Sequence, residues 1–497
     1  MKLTSGNPDT SLSYVQSDSR LIELNDLFIP PIYPEMDVDP YIKDSFERKA
    51  SAILVNKKYL RKEPLPPFPC VLETEISLGQ MHGKIASFLA GEPSKKLKIV
   101  GITGTNGKTS LTYLLFQLAK RLGYSAGLIG TIFNRINDTV LDANYTTPDA
   151  SSLNLLLSKM LSEGVQYVFM EMSSHGLKLG RVAGLQVQGV GFTNLTQDHM
   201  DFHETMEDYF ESKFGIFKLL EQSKIPNKFG VIDMEAPYGK QMWERILQEG
   251  FKSEISRLGA YGEARISHAK YGISQTQFRF HKKSKSSPEI KVRTVRTSLL
   301  GKFNVSNLSL ALLVAMELGW SQEAIFSSVS KLSPVPGRFE VILGYNDNIA
   351  IVDYAHSPDA LENVLKSVKE IGAGNIICLF GCGGDRDRTK RPVMARVVEA
   401  LSDFAILTSD NPRNEDPELI LSEVESGFSK GFKRYERIVD REKAISRGVE
   451  LLPPNGVLVI AGKGHEQYQL IKSQKLPFSD KEIVQEYFRK KRNTSIS

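Results

Sequence analysis

GITGTNGKTS at positions 101–110 is the stretch around which the chain is organised. The apolar run Leu97 to Val100 precedes it, and a helical pattern of leucines closed by Gly123 follows it. This order predicts a strand, a glycine-rich turn and a helix with a glycine at its C-cap. Such a turn presents backbone N–H groups to a phosphate, with Lys108 beside the outer phosphates and the Thr109 hydroxyl beside a magnesium ion.

The turn departs at one position from the general phosphate-loop pattern, because Ile102 stands where that pattern has its first glycine. The alternative interpretation is an ordinary glycine-rich turn with a surface lysine. The strand before the turn and the helix after it favour phosphate binding over that alternative.

The composition is that of a folded protein with several domains. At 497 residues the chain has room for about three domains. Its 41% hydrophobic and 24% charged residues exclude global disorder. The net charge of +5 is small for this length, so nucleic acid is not an expected partner, whereas an anionic small substrate fits.

The cysteines and the N-terminus predict a cytoplasmic location. Cys70, Cys378 and Cys382 fit a reducing compartment, and Cys378 and Cys382 have no second ligand pair that would complete a zinc site. The first residues are polar and unlike a signal peptide, and the longest helix-like apolar run, Leu308 to Met316, is too short to span a membrane. We therefore expect a cytoplasmic protein without a membrane span.

Turn signals divide the chain into three predicted domains, at 1–92, 93–335 and 336–497. SPVPGRFEVI at 333–342 is the second linker, with two prolines and a glycine before a strand. The third domain alternates strands with helical patterns, which predicts a parallel, doubly wound sheet. Its predicted strands are Ile349 to Asp353, Asn375 to Phe380, Phe404 to Thr408 and Val457 to Ala461.

The outer parts of the first two domains carry weaker signals. In the first domain, strands are predicted at 27–29 and 50–55, on either side of the proline-broken loop PPIYPEMDVDP and a helix. The second domain becomes strand-rich and basic at 224–297, with HKKSKSS at 281–287 as an exposed hairpin tip. Asn304 and Asn307 stand near the start of a predicted helix, either as caps or as contacts to an adenine edge.

Polar side chains follow the predicted strands of the second domain. Thr146 and Thr147 lie in a loop stopped by Pro148, and Glu171 and Ser173 end a buried-type strand. In open α/β sheets ligands bind at the carboxyl ends of strands, so Glu171 is expected to hold the magnesium of a nucleotide, with helix capping as the alternative. A further polar group follows the strand Val190 to Phe192, where a histidine could ligate a metal or bind a phosphate: Asn194, Thr196, Asp198, His199, Asp201 and His203.

Lys213 falls inside an aromatic stripe of the next helix. It lies four residues after Tyr209, three after Phe210 and four before Phe217, so it shares their face. A lysine there should have a depressed pKa, a partner or a modification. The alternative, which spacing alone leaves open, is a side chain that runs along the stripe with its head group in water.

Four polar loops leave the predicted sheet of the third domain at one edge, the layout of a binding site. They are DYAHSP at 353–358, GCGGDRDRTKRP at 381–392, TSDNPRNEDP at 408–417 and AGKGHE at 461–466. Arg386 and Arg413 suit bidentate carboxylates, and Asp410 and Glu466 suit an ammonium. Together they predict recognition of a zwitterion with more than one carboxylate.

These motifs resemble the Mur ligase family. They are TGTNGKTS, TTPD, EMSSHGL, NLTQDHMDFH, the Tyr209 to Lys213 segment, GRFE, DYAHSP, FGCGGDRDRTKRP, SDNPRNEDP and AGKGHE, in family order from about 100 to 470. Within the family they are similar to the members that add meso-diaminopimelate to UDP-N-acetylmuramoyl-L-alanyl-D-glutamate. Ile102 in the phosphate loop matches the family's own form of that loop.

The resemblance implies an α/β protein of three domains. They are a small UDP-binding N-terminal domain, a central ATPase domain like the P-loop proteins with a mainly parallel sheet, and a Rossmann-like C-terminal domain for the amino acid. It implies ATP and Mg²⁺ as cofactors. It also implies a ligase of peptidoglycan synthesis that forms an acyl phosphate on the D-glutamate γ-carboxylate, which the amino group of the incoming amino acid then attacks.

The resemblance also carries site roles to individual positions. Positions matching the nucleotide site are Gly104, Thr105, Asn106, Gly107, Lys108, Thr109, Ser110, Asn307, Arg338 and Asp353. Positions matching the magnesium site are Thr109, Glu171, His199 and Lys213, the last if carbamylated. Catalytic positions are Lys108, His199, Lys213 and His356. Contacts to the UDP-muramoyl dipeptide are Thr146, Thr147, Ser173 and Arg181, with Ser17 and Ser19 as candidates in an N-terminal region that lacks the family's usual pattern. Diaminopimelate contacts are Arg386, Asp410, Asn411, Pro412, Arg413, Gly462 and Glu466.

Three alternatives stay open beside this interpretation. A sister ligase would add L-lysine or ornithine, but Arg413 favours a substrate with a distal carboxylate. A folylpolyglutamate synthetase would leave the first domain and the DNPR sequence at 410–413 unexplained. A nucleotide-switched binding protein would have no use for a zwitterion site. We expect a monomer with only small-molecule substrates as partners.

Overall fold

The computed structural model describes residues 1–31, 36–56, 64–273, 275–283, 289–372 and 374–494. Contacts within the chain form two compact units. The first unit comprises Met1–Leu195, Phe202–Leu258 and Leu313–Gly319, and the second comprises Thr196–Asp201, Gly259–Leu312 and Trp320–Ser497. The three domain ranges expected from the sequence are not the ranges of these units and stay a prediction.

The first unit begins with a small α/β region. Its sheet has the order β1-β5-β4-β3-β2, with β1 antiparallel to β5 and the other pairs parallel. The strands predicted at 27–29 and 50–55 are confirmed as β3 and β4, whereas residues 32–35 of the predicted proline-broken loop lie outside the described residues. The elements are β1 Lys2–Gly6, β2 Tyr14–Gln16, a 3₁₀ helix Ser19–Leu21, β3 Asp26–Phe28, α1 Asp39–Glu47, β4 Ala52–Asn56, β5 Cys70–Thr74, α2 Leu78–Leu89 and a 3₁₀ helix Pro93–Lys95.

The larger sheet of the first unit contains the predicted strand, glycine-rich turn and helix. Its order is β13-β12-β11-β6-β10-β7-β8-β9, parallel from β13 to β7 and antiparallel at β8 and β9. The elements are β6 Lys98–Thr103, α3 Lys108–Arg121, β7 Ala126–Ile129, β8 Asn134–Ile136, β9 Thr139–Leu141, α4 Ala150–Ser162, β10 Tyr167–Glu171, α5 Ser174–Lys178, β11 Gly189–Phe192, α6 Met206–Gln222, β12 Phe229–Asp233, α7 Gly239–Glu249 and β13 Glu254–Leu258.

The register of this sheet brings three strand ends to one edge. Glu171 at the end of β10 pairs with Ile102 of β6, and Phe192 at the end of β11 pairs with Thr103. The loops that leave these three strands therefore start side by side. The core strand β6 is apolar on both faces, as expected for a parallel strand covered by helices on both sides.

The second unit combines an antiparallel sheet segment with a six-stranded sheet. The strands β14, β15 and β16 pair antiparallel, and residues 284–288, which include most of the predicted hairpin tip, lie outside the described residues. The elements are β14 Ala264–Lys270, β15 Thr276–Lys283, β16 Ile290–Thr297, α8 Lys302–Glu317 (whose last residues belong to the first unit), α9 Gln322–Val329, β17 Glu340–Leu343, β18 Ile349–Asp353, α10 Pro358–Glu370, β19 Ile376–Phe380, α11 Lys390–Leu401, β20 Phe404–Leu407, α12 Pro417–Glu425, β21 Tyr435–Arg437, α13 Arg441–Leu451, β22 Val457–Ala461, β23 Tyr468–Ile471, β24 Gln474–Pro477 and α14 Asp480–Thr494.

The six-stranded sheet confirms the predicted doubly wound sheet. Its order is β17-β18-β22-β19-β20-β21, and every pair except β17–β18 is parallel. Alternate side chains of β19 serve two cores. Cys378 and Phe380 pack with α10, α11 and α12, whereas Ile377 and Leu379 pack with α13 and α14.

Two details differ from the sequence-based expectations. The stretch 224–297, expected to be strand-rich, also contains the helix α7. Asn304 and Asn307 are not helix caps, because both lie within α8; the Asn304 side chain donates instead to the Leu300 carbonyl at 2.8 Å.

Among the described residues, no helix has both the length and the apolar character needed to cross a membrane.

A buried ion pair ties α13 to α14. Arg441 Nε and Nη2 donate to the two carboxylate oxygens of Asp480 at 2.7 and 2.8 Å, and both side chains are 0% exposed. Arg441 Nη2 also donates to the Ala461 carbonyl at the end of β22 at 3.0 Å. The pair therefore fixes the backbone from which the AGKGHE loop leaves the sheet.

Asp480→Asn is expected to lower the free energy of unfolding by about 3–5 kcal/mol, because it leaves the Arg441 charge buried without a counter-charge. The matched control is Lys481→Met at the next position, whose partner is Glu340 and whose side chain is 45% exposed. The control should cost about 0–1 kcal/mol. Thermal unfolding followed by circular dichroism measures both, and equal small changes would contradict the assignment.

Candidate active site

The glycine-rich turn after β6 has the backbone of a phosphate loop. Gly104 has a φ of 149°, and a Cβ atom there would collide with the Thr193 hydroxyl, so only glycine fits. Gly107 is the N-cap of α3, which starts at Lys108 and places Ser110 in its first turn. A helix N-terminus directs backbone N–H groups and the positive end of the helix dipole toward the turn, which makes the turn a candidate site for an anion.

Two lysines converge on one carbonyl of this turn. Lys108 Nζ donates to the carbonyls of Gly104 and Thr105 at 2.8 and 2.9 Å. Lys213 Nζ donates to the same Gly104 carbonyl at 2.7 Å and lies 4.5 Å from the centre of the Tyr209 ring. Lys213 is 1% exposed, so the alternative in which its head group reaches water is wrong. In the unmodified chain the two ammonium groups give the turn a positive charge, and that of Lys108 is the one available to a phosphate in the mechanism proposed below.

Residues after β11 hold the turn in place. Asn194 accepts from the Asn106 N–H through Oδ1 at 2.9 Å and donates from Nδ2 to the Asn106 carbonyl at 3.1 Å. The Asn194 carbonyl accepts from the Thr105 N–H at 2.9 Å, and the Thr193 hydroxyl donates to the Asn106 carbonyl at 2.6 Å. The positions of Thr105 and Asn106 are thus set by the neighbouring strand.

Glu171 links the turn to two other loops. Its Oε2 accepts from the hydroxyls of Thr109 and Thr131, both at 3.0 Å, and its Oε1 accepts from the Thr131 N–H at 2.9 Å. Thr131 in turn lies 3.0 Å from Thr146, hydroxyl to hydroxyl. Glu171 is 1% exposed, and the oxygens of Thr109 and Glu171 are hard donors of the kind that Mg²⁺ prefers. Thr131 carries no motif that would have identified it in the sequence.

A second group forms around the buried Thr147. Its hydroxyl donates to the Glu171 carbonyl at 2.9 Å and accepts from the Ser173 N–H at 2.9 Å. Arg181 Nη1 donates to the Thr147 carbonyl at 2.8 Å, and its guanidinium lies 5.2 Å from the centre of the Tyr145 ring. The predicted dipeptide contacts Thr146, Thr147, Ser173 and Arg181 are therefore brought together.

The polar residues after β11 are not brought together in one unit. His203 belongs to the first unit, where its ring nitrogens lie 3.0 Å from Asp208 Oδ2 and 2.9 Å from Ser174 Oγ. Burial lowers the pKa of His203 below its ordinary value, and its engaged nitrogens argue for a structural role. His199 belongs to the second unit, where its Nε2 lies 3.7 Å from Asp198 Oδ2. Among the described residues, no group of three or more histidine, cysteine, aspartate and glutamate side chains forms a metal cluster.

The predicted nucleotide-side residues of the second unit surround the exit of β18. Asp353 accepts from the N–H groups of Phe339 and Ala355, both at 2.7 Å, and burial raises the pKa of its carboxyl. The Arg338 guanidinium lies 4.5 Å from the centre of the Tyr354 ring. His356 Nδ1 lies 2.9 Å from the Tyr354 carbonyl. Asn307 lies in α8, where it is buried.

The loops after β20 and β22 bring together four predicted diaminopimelate contacts. Asn411 Nδ2 donates to Glu466 Oε2 at 2.8 Å, and Gly462 lies against Asp410. Gly462 has a φ of 116°, and a Cβ atom there would lie 2.5 Å from Asp410 Oδ2, so the close approach requires glycine. Lys463 was not predicted as a site residue; it is a buried lysine whose Nζ donates to Asn411 Oδ1 and Glu466 Oε2.

Arg413 lies in the loop after β20 and contacts the loop after β19. Its Nη1 donates to the Gly384 carbonyl at 2.8 Å, and its own backbone takes a left-handed φ of 51°. Pro412 before it is buried, whereas Arg386 is exposed and donates to the Asp385 carbonyl at 3.2 Å. Both guanidinium groups thus belong to adjoining loops of one sheet edge.

A buried arginine, Arg391, forms hydrogen bonds that hold the loops after β19 and β20 together. Arg391 is fully buried and donates to the carboxylates of Glu415 and Glu423, with its Nη2 also donating to the Gly383 carbonyl at 3.2 Å. The hydrogen bond from Arg391 lowers the pKa of Glu415 to about 2. Glu415 in turn accepts from the Asp385 N–H at 2.5 Å, so the network holds the loop next to Arg386.

The two candidate UDP contacts lie at the start of the first 3₁₀ helix, with Ser19 as its first residue and Ser17 just before its N-cap Asp18. Asp18 caps that turn by accepting from the Arg20 N–H at 3.0 Å and pairs with the Arg20 side chain. Ser19 is buried, and its hydrogen bond to Asp44 lowers the pKa of that carboxyl. Ser17 is half-buried. This local pairing identifies no ligand, and both serine assignments stay predictions.

Comparison with known proteins matches two family models to this chain. The Mur ligase middle domain matches residues 102–315, and the Mur ligase glutamate ligase domain matches residues 337–464. A relative from Leptospira borgpetersenii serovar Hardjo-bovis (strain L550) is 49% identical, over 97% of this chain and 95% of its own length; its name is UDP-N-acetylmuramoyl-L-alanyl-D-glutamate--2,6-diaminopimelate ligase. A relative of the same name from Fusobacterium nucleatum subsp. nucleatum is 40% identical, over 96% of this chain and 94% of its own length.

Solved structures agree with this relationship. A structure of a ligase of the same name is 29% identical, has a TM-score of 0.69 and covers 99% of this chain and 98% of its own. Folylpolyglutamate synthase from Mycobacterium tuberculosis, at 15% identity and a TM-score of 0.63 over 77% of this chain and 92% of its own, shares the fold alone. The three-domain α/β architecture is confirmed. The chain belongs to the Mur ligase family.

Proposed function

We propose that this chain is an ATP-dependent ligase that adds meso-diaminopimelate to UDP-N-acetylmuramoyl-L-alanyl-D-glutamate in peptidoglycan synthesis. The observation that carries the proposal is the 49% identity, over nearly the whole of both chains, with a relative named for this reaction. The geometry supports it independently, because the chain has both a phosphate loop and a sheet edge with two arginines and two acidic side chains.

The reaction needs one oxygen of the D-glutamate γ-carboxylate to be converted into a good leaving group. Its oxygen attacks the γ-phosphorus of ATP, which releases ADP and gives an acyl phosphate. An amino group of diaminopimelate then attacks the acyl carbon, loses a proton and expels phosphate through a tetrahedral intermediate. The loop N–H groups and Lys108 would stabilise the charge that develops on the transferred phosphoryl group.

Magnesium would be held by Thr109 and Glu171, whose side-chain oxygens already lie 3.0 Å apart. Bound Mg²⁺ would neutralise part of the charge on the nucleotide phosphates. The contribution of this chain is to orient the carboxylate, since Thr131 bonds both oxygens of Glu171. The assignment of His199 to a magnesium site rests on the family resemblance alone and stays a prediction.

Lys213 is proposed to carry a carbamate. Its neutral amine would add to CO₂ and lose a proton, which replaces a buried cation by an anionic group with two oxygen donors. The support is its burial beside the phosphate-loop carbonyl of Gly104. Native mass spectrometry at neutral pH should show one added CO₂ on the wild type and none on Lys213→Ala, and an unmodified wild type under saturating bicarbonate would refute the modification.

Glu171→Gln is expected to raise the Mg²⁺ concentration needed for half-maximal activity by about 10- to 100-fold, because it removes the negative charge while keeping the shape. Phosphate release measured across a magnesium titration tests this. Glu163→Gln, at an exposed position after α4, is the matched control and should leave the requirement unchanged. An unaltered magnesium curve in Glu171→Gln would remove Glu171 from the proposed metal site.

The proposed function is tested by phosphate release from ATP with Mg²⁺ and UDP-N-acetylmuramoyl-L-alanyl-D-glutamate. Parallel reactions contain meso-diaminopimelate, L-lysine or neither amino acid. Release that depends on diaminopimelate is the expected result. Release with L-lysine instead would keep the ligase chemistry and overturn the specificity, and release that needs neither would favour a nucleotide-switched binding protein.

A further inference from the structure

Lys463 is a fully buried lysine in the loop after β22, between Gly462 and Glu466 of the proposed amino-acid site. Its Nζ donates to Asn411 Oδ1 at 3.0 Å and to Glu466 Oε2 at 2.9 Å, and it lies 4.0 Å from Asp410 Oδ1. A buried ammonium is costly unless it is paired. Here every one of these partners is a side chain that the proposed site uses.

The lysine fixes the orientation of Asn411. The Asn411 Oδ1 accepts from Lys463 Nζ and from the Leu470 N–H at 2.9 Å, so both of these donors select the carbonyl end of the amide. The Asn411 Nδ2 is then turned to Glu466 Oε2 at 2.8 Å. Within the described part of the chain, both hydrogen bonds to this carboxylate end on Oε2, which leaves Oε1 as an acceptor for an ammonium group.

The lysine also sets the charge of the cluster. Asp410 and Glu466 carry two formal negative charges. With the positive charge of Lys463, the net formal charge of these three side chains is −1. One negative charge matches one ammonium of an amino acid. Two uncompensated carboxylates would in addition repel the carboxylates of a substrate that has more than one of them.

We propose that Lys463 is a positioning residue for the incoming amino acid, which holds Asn411 and Glu466 in the receiving geometry and limits the negative charge beside them. This inference rests on the proposed function, because it takes the substrate to be a diamino dicarboxylic acid. It differs from a purely structural ion pair in one respect. It predicts an effect on one substrate only.

The test is Lys463→Met, which keeps an apolar stem of similar length and removes the ammonium. The KM for meso-diaminopimelate should rise by about 10- to 100-fold, while the KM for ATP and for the UDP-linked substrate should change by less than about threefold. Lys443→Met, at an exposed position on α13, is the matched control and should behave as the wild type. The wild type in the same assay distinguishes a failure of the proposed function from a failure of the role of Lys463. If wild-type activity does not depend on diaminopimelate, the proposed function itself is overturned.

A wild type that depends on diaminopimelate, together with an equal rise of all three KM values in Lys463→Met, would overturn the role of Lys463 alone. If Lys463→Met does not fold, Lys463→Arg takes its place, since it keeps a cation, and the same rise confined to diaminopimelate is expected at a smaller size. A double variant with Glu466→Gln gives a second readout. If Lys463 acts through Glu466, the loss caused by Lys463→Met should be about tenfold smaller in the Glu466→Gln background, and fully additive losses would contradict the proposal.

Discussion

Lys108→Ala is expected to lower kcat for phosphate release by about 10³-fold, the largest single effect among the variants proposed for this chain. Lys108 stands at the first residue of α3, and its ammonium lies against the carbonyls of Gly104 and Thr105. From this position the ammonium can stabilise the negative charge that develops on the transferred phosphoryl group. Alanine is compatible with the helix but removes the positive charge that Lys108 contributes to the proposed mechanism.

Lys120→Ala is the matched control, because Lys120 lies on the same helix and pairs with Asp138 at the surface. It should keep nearly full activity. Steady-state phosphate release with saturating substrates measures both variants, and thermal unfolding shows whether each is folded. A folded Lys108→Ala with more than about a tenth of the wild-type kcat would refute the assignment of this turn as the catalytic phosphate loop.

The doubly wound sheet was predictable because its signals are local. The strands Ile349–Asp353 and Val457–Ala461 have the predicted bounds, since each is a short apolar run that ends at polar residues. The strand, turn and helix around positions 101–110 are predicted from equally local signals, and Gly123 takes a left-handed conformation directly after the C-cap Leu122. The helix α7 was missed because it lies in a stretch where strand signals and basic residues dominate.

Residues of the candidate site could be predicted only where a sequence motif singles them out. Glu171 and Arg413 stand at strand ends in recognisable sequence patterns, whereas Thr131 and Lys463 acquire their roles from partners that lie far away in the chain. Thr131 bonds Glu171, 40 residues later, and Lys463 bonds Asn411, 52 residues earlier. The register of parallel strands brings such residues to one edge, and a single sequence does not contain that register.

For Lys213, the sequence pattern predicts the helix face but not the position of the head group. The aromatic stripe placed the lysine on the buried face of α6, but spacing left two outcomes open because a long side chain can reach water along a helix. The structure buries the head group against the Gly104 carbonyl and excludes that outcome.

Arg413→Ala is expected to raise the KM for meso-diaminopimelate by about 100-fold while changing the KM for ATP by less than about threefold. A guanidinium can bond both oxygens of a carboxylate, and L-lysine has no distal carboxylate to receive it. The Gly384 carbonyl to which Arg413 donates is a backbone group of the adjoining loop. Among the described residues this guanidinium donates a hydrogen bond through Nη1 alone, which leaves its other N–H groups for a ligand.

The same variant should therefore narrow the preference for diaminopimelate over L-lysine. Steady-state kinetics with each amino acid in turn measures the ratio of the two kcat/KM values, and this ratio should fall by about the same 100-fold as the diaminopimelate KM rises. Arg396→Ala, at an exposed position on α11 in the same unit, is the control for a general loss of positive charge and should leave the ratio intact. Equal losses for both amino acids in Arg413→Ala would mean that the arginine shapes its loop instead of reading the distal carboxylate, and the specificity would then have to come from Arg386.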